Sequence, residues 1–105
     1  MAIKETSFEV LLDRDVALRI RFSRQRGVII AFVVQLEYWI ESRWYPIIRY
    51  DTAHGYAHCD VLKPDGSQEK LRLHVQDLNA ALTYAQDDLR SNFRYYCERF
   101  RRWLQ

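Results

Sequence analysis

Through the first two thirds of the chain, apolar and polar side chains tend to alternate with a period of two. Val16, Leu18, Ile20 and Phe22 are interleaved with Ala17, Arg19, Arg21 and Ser23, the pattern of a strand with one face against a core. After a break at Gln25-Arg26-Gly27, a longer alternation places Val28, Ile30, Phe32, Val34, Leu36, Tyr38 and Ile40 on one face. The other face of this strand starts apolar, at Ile29, Ala31 and Val33, and turns polar at Gln35, Glu37 and Glu41. A short turn at 41–43 leads to residues 44–50, rich in aromatic and β-branched residues. Pro46 there lacks a ladder donor and argues for an edge or a bulge. Residues 56–63 and 68–75 read as two further strands joined by Pro64-Asp65-Gly66, the strongest hairpin signal in the chain. A short strand near residues 8–12 has weaker support.

Beyond Val75 the period changes. Asp77 is a suitable helix cap, and Leu78, Leu82, Ala85, Leu89, Phe93, Tyr96, Phe100 and Trp103 form one stripe at 3.6-residue spacing. No Pro or Gly follows Asp77, so the helix runs for roughly 25 residues, about 40 Å at 1.5 Å per residue. That length exceeds the width expected of so small a domain and predicts a kink or an overhang. Together the elements predict one α+β domain over 1–105: an antiparallel meander of about five strands in 16–75, with a long amphipathic helix over 77–104 on one face.

Composition narrows the class. Half the residues, 49%, are hydrophobic and 14% are aromatic, enough for a core and unlike a disordered chain. Lys+Arg 16 against Asp+Glu 14 gives a net charge of +2, which carries no whole-chain nucleic-acid signature. No apolar run is long enough for a membrane span, and MAIKETSFEV has no apolar core after a basic start, so a cytoplasmic protein away from membranes is expected. Cys59 and Cys97 form no CxxC pair and are expected to be reduced thiols.

Polar chemistry concentrates in residues 49–60, where one strand ends and the next begins. A hairpin there brings Asp51 and His54 to the loop mouth, while His58 and Asp60 share a strand face. An imidazole oriented by a carboxylate can move protons at neutral pH, and Arg49 can hold a phosphate. RNA cleavage needs a base, an acid and a cation at phosphorus, and this set supplies all three. An equally weighted reading is structural: Asp51 caps its own turn, Gly55 supplies a positive φ, and the histidines merely flank it. A metal site from His54, His58 and Asp60 is a third option, but no HExxH-type spacing is present, and no metal or cofactor is expected.

A second cluster closes the helix. Arg90, Arg94, Arg99, Arg101 and Arg102 face only Glu98 between 89 and 105, a local balance of +4 that leaves −2 for the rest of the +2 chain. Arg90, Arg94 and Arg101 fall within about 40° on a helical wheel. With the nearby tyrosines they suit phosphate binding and base stacking, or simply complement the helix dipole and solvate its outer face. Trp39 is expected outside the core, and Trp44 and Trp103 within it. An exposed helix face, a tryptophan or a sheet edge would equally serve a homodimer or a protein partner.

The run Trp44-Tyr45-Pro46-Ile47-Ile48-Arg49-Tyr50-Asp51, followed by His54-Gly55-Tyr56-Ala57-His58, resembles the central segment of the TumE-like family. Its members are small toxin components of two-gene toxin–antitoxin systems. The resemblance covers about residues 44–90. It implies a sheet with a C-terminal helix, an antitoxin partner with a helix-turn-helix, and functional positions at Tyr50, Asp51, His54 and His58. The expectation is therefore a toxin acting on RNA without a metal through Asp51, His54 and His58, with Arg49, Arg90, Arg94 and Arg101 holding phosphate and Tyr50 and Asp60 close by. The alternatives are a non-catalytic interaction module and a nucleic-acid-binding protein without turnover.

Overall fold

The computed structural model describes residues 2–75 and 77–105. Six strands, β1 (Lys4–Asp13), β2 (Val16–Gln25), β3 (Val28–Ile40), β4 (Arg43–Asp51), β5 (His58–Leu62) and β6 (Gln68–Arg72), precede one helix, α1 (Leu78–Leu104). They form a single antiparallel meander in chain order, and α1 lies against one face of it. The sheet thus begins at Lys4, well before Val16. The polar Thr6 on the inward set and the exposed Leu11 on the outer one obscure its alternation, but Val10 and Leu12 still pack on the core.

Tight turns set the register. Arg26 and Gly27 have φ of 54° and 76°, and Glu41 and Ser42 have 55° and 65°, so both β2–β3 and β3–β4 are two-residue hairpins whose left-handed turns match strand twist. The β5–β6 turn closes at Gly66, φ 90°, with Asp65 accepting from the backbone N–H of Ser67 at 2.9 Å.

Two irregularities change which residues face inward. A register shift between Ser23 and Arg24 pairs Ala31 with Ser23 but Ile29 with Arg24, leaving Ile30 as the extra residue. Consequently Ile29 is buried, while Val28 and Ile30 are 56% and 40% exposed, the reverse of the simple alternation. A second shift, beside Glu37 and Pro46, shows that Pro46 marks a bulge in a central strand, not an edge. Trp44 and Trp103 are each 40% exposed, contrary to the expectation that they are core. Trp44 instead meets Trp39 edge-on across the β3–β4 hairpin, ring centres 5.6 Å apart.

The helix runs for 27 residues, as long as expected, and β3 matches its length. Thirteen strand residues span about 43 Å and 27 helical residues about 40 Å, within a molecule 49 Å long. Asp77 caps α1 by accepting from the Asn79 N–H at 3.0 Å. The Asn79 side chain in turn accepts from the Ile29 N–H at 3.0 Å, and Thr52 Oγ1 accepts from the Phe32 N–H at 3.0 Å. These side chains serve the start of β3, which extends beyond its β4 partner. At the far end Arg101 donates to the Tyr38 hydroxyl. Between them Leu18, Ile20, Val34, Leu36, Ile48, Ala85, Leu89 and Phe100 close the core.

Candidate functional site

The face of the sheet turned away from α1 is a polar lattice. Glu9, Arg19, Gln35, Arg49, Asp60 and Lys70 are successive register partners across all six strands. The neighbouring row is Ser7, Arg21, Val33, Asp51, His58 and Arg72. Arg19 donates to Glu37 at 2.9 Å, which together with the Glu37 and Glu9 charges raises its pKa further. Gln35 bridges this pair to Arg49, donating to Glu37 at 2.6 Å and accepting from Arg49 Nε at 2.8 Å.

At one end of the lattice the polar groups are buried. His58 is 1% exposed, Asp60 3% and Asp51 9%. His58 Nε2 lies 2.8 Å from Asp51 Oδ1 and 3.7 Å from Asp60 Oδ2. Lys70 Nζ approaches from β6, 3.4 Å from His58 Nε2 and 3.6 Å from Asp60 Oδ1. Among the described residues, His58 Nδ1 and Asp60 Oδ1 are buried side-chain atoms with no hydrogen-bond partner.

The 52–57 connection accounts for this burial. Asp51 Oδ1 also accepts from the Ala53 N–H at 3.1 Å, the Gly55 N–H reaches the Thr52 carbonyl at 3.0 Å, and Gly55 adopts φ 82°. The connection thereby places two rings beside His58: His54, centres 5.5 Å apart, and Tyr56, centres 5.7 Å apart. Arg72 stacks over Tyr56 at 4.3 Å. His54 itself is exposed, so the loop presents one imidazole to solvent and seals the other in.

Asp51, His54, His58 and Asp60 are therefore brought together, but several expected companions are not. Tyr50 points to the opposite face, where its hydroxyl donates to Asp88 at 2.7 Å. Arg49 joins the outer lattice, whereas Arg90, Arg94 and Arg101 belong to α1 on the other side of the sheet, so the four do not form one phosphate surface. Arg94 lies 3.8 Å from Asp13, and Arg101 packs on Tyr38. The cations beside the histidines are Lys70 and Arg72, both missed in the sequence. A symmetric count back from the Asp65-Gly66 turn would have found them, since Leu62 pairs with Gln68, Asp60 with Lys70 and His58 with Arg72.

A second depression, about 540 Å³, opens between β5–β6 and α1 and includes Tyr50, Cys59, Leu71, Tyr84, Asp88 and Tyr96. His74 lines it too, beside the helix. Asp88 accepts from Tyr50, from Tyr96 at 2.8 Å and from Asn92 at 2.8 Å. Burial first, then these hydrogen bonds, push both phenols well above the ordinary tyrosine range. Burial likewise pushes the Cys59 and Cys97 thiols up to about 12. Both are free cysteines, and high-pKa buried thiols are poor nucleophiles. The i, i+4, i+8 spacing of Asp88, Asn92 and Tyr96 was the available sequence signal for this network.

Fold and site together define a small α+β protein: a six-stranded meander backed by one helix, with a histidine–carboxylate cluster on the uncovered face. The chain belongs to the DUF7718 family, a domain of unknown function, which matches residues 1–105. No curated protein and no solved structure matches it significantly. Among the described residues no helix is long and apolar enough to cross a membrane.

Proposed function

We propose that the chain is the toxin component of a toxin–antitoxin pair and cuts RNA by proton transfer at His54. The carrying observation is the pairing of one exposed imidazole with one buried one, ring centres 5.5 Å apart, at the TumE-like positions. His58 is too enclosed to touch a substrate in this conformation. With Asp51 it holds the loop, while His54 takes the proton from the attacking 2′-hydroxyl. That oxygen bonds to phosphorus and closes a 2′,3′-cyclic phosphate as the bond to the 5′-oxygen breaks, and the departing 5′-oxygen takes a proton from water. Lys70 and Arg72, flanking on β6, supply positive charge for the phosphorus centre. This assigns the phosphate contacts to the outer face of the sheet, not to the arginines of α1.

The test is purified protein incubated with total RNA beside a His54→Ala variant. Cleavage by the wild type, reduced about 100-fold or more in the variant, is expected from loss of a general base. No cleavage by the wild type, or full activity in the variant, overturns the reading. Arrest of cell growth on expression, relieved by a neighbouring helix-turn-helix protein, would support the toxin assignment.

A second reading, a non-catalytic interaction module, has one observation in its favour. Leu71 and Tyr84, at the depression beside α1, are 55% and 53% exposed, and apolar surface of this kind suits a protein partner or a homodimer. A strict monomer by solution mass measurement, capturing no partner, would remove it.

A further inference from the structure

We propose that Asp51, His58 and Asp60 form a binding site for a divalent transition-metal ion, and that the Lys70 ammonium occupies this site in its place when the ion is absent. One ligand atom from each of the three residues lies within 4.8 Å of the others, a spread that a single ion can bridge. The donor set, one imidazole nitrogen and two carboxylates, suits zinc or manganese. All three residues are nearly or fully buried, so the site is fixed by β4 and β5 and does not depend on mobile surface side chains.

Two independent features point the same way. Asp60 Oδ1, on a residue 3% exposed, has no hydrogen-bond partner, although buried carboxylate oxygens ordinarily find one. Its nearest cation, Lys70 Nζ, stands 3.6 Å from it and 3.4 Å from His58 Nε2, beside two of the three prospective ligands. The Lys70 side chain is 38% exposed, so it can swing to solvent as the ion enters. Three protein ligands leave a position open for water, as in catalytic metal sites. The inference stands on this geometry whether or not the chain cuts RNA.

The experiment uses the full chain, stripped with a chelator and dialysed, then titrated calorimetrically with zinc chloride and with manganese chloride. Saturable binding of one ion per chain is expected for at least one metal. Asp60→Asn should weaken it about tenfold or more, since even residues that only support metal ligands carry effects of that size. Because Asp60→Asn can also disturb folding, Lys70→Gln serves as the second variant. Removing the ammonium that competes for the site should tighten binding about fivefold. Absence of saturable binding by either metal overturns the proposal, as does a Lys70→Gln protein that binds equally or more weakly. The readout contains no RNA: binding without cleavage would leave this site and remove the RNA reading, and cleavage without binding would do the opposite.

Discussion

The two faces of the sheet are made from alternate residues of the same strands, yet they are stabilised by different physics. Against α1, Leu18, Leu36, Ile48 and Val61 are consecutive register partners, and burial of such apolar rows is worth about 1.5–3 kcal/mol per large side chain. On the other face, the row Glu9 to Lys70 offers cross-strand pairs worth about 0.2–1 kcal/mol each. Around His58 the outer face becomes as enclosed as the core, as it also does at Glu37, which is 8% exposed, and at His58 it encloses two carboxylates with an imidazole. Burying an imidazole with two carboxylates is not the economical way to stabilise a fold, since apolar residues of similar size usually do as well. The contrast therefore marks the His58 end as the part of the sheet whose composition stability alone does not explain.

The largest effects should come from the helix side. Phe100→Ala, which empties a fully buried position facing Tyr45, should cost about 3–5 kcal/mol in denaturant unfolding. A loss near zero would mean that the last turns of α1 are not held on the sheet. The same side governs alkaline stability. The Cys59 thiol is raised from 9.0 to about 12, so the unfolded chain releases its proton first. Stability should be level below pH 9 and fall as pH rises from 9 towards 12, with Tyr50 and Tyr96 adding in the same direction. A melting temperature unchanged across that window would contradict the burial of these groups.

Next in size is the enclosed end of the outer face. Asp51→Ala leaves His58 without its partner and should cost about 2–3 kcal/mol. Adding His58→Leu removes the stranded imidazole, so the double variant should be more stable than Asp51→Ala alone. The opposite order would show that the pair is not coupled. Asp88→Asn, which weakens the acceptor shared by Tyr50 and Tyr96, should cost about 1–2 kcal/mol and lower the raised pKa of both phenols in ultraviolet titration. Smallest is Glu9→Gln in the exposed lattice, whose carboxylate lies 3.6 Å from Arg19, expected to cost no more than about 1 kcal/mol and less at high salt. A larger, salt-insensitive loss would erase the distinction between the faces.

Much of the architecture was legible because its causes are local. The alternation in β2, the Asp-Gly turn and the stripe from Leu78 to Phe100 each express a period that one element imposes on its own residues. Where the reading failed, the cause was non-local. Ile30 and Ile29 exchange faces because of a bulge against β2, and Trp44 is exposed because it meets Trp39, itself outside the core as expected, across a hairpin. The site divided in the same way. That Asp51, His54, His58 and Asp60 lie near one loop mouth followed from spacing. That His58 is sealed while His54 is open depends on the course of residues 52–57 over the sheet.

Side-chain periodicity and turn propensity along the chain specify the strand and helix types, the meander order and the residues available for chemistry. Which face each functional group joined was settled by how the elements pair and pack. Pairing and packing placed Tyr50 with Asp88, aligned Lys70 with Asp60, and parted Arg49 from the helix arginines. The reason is that a sheet sends successive side chains to opposite sides, and a one-residue shift in pairing reverses every assignment.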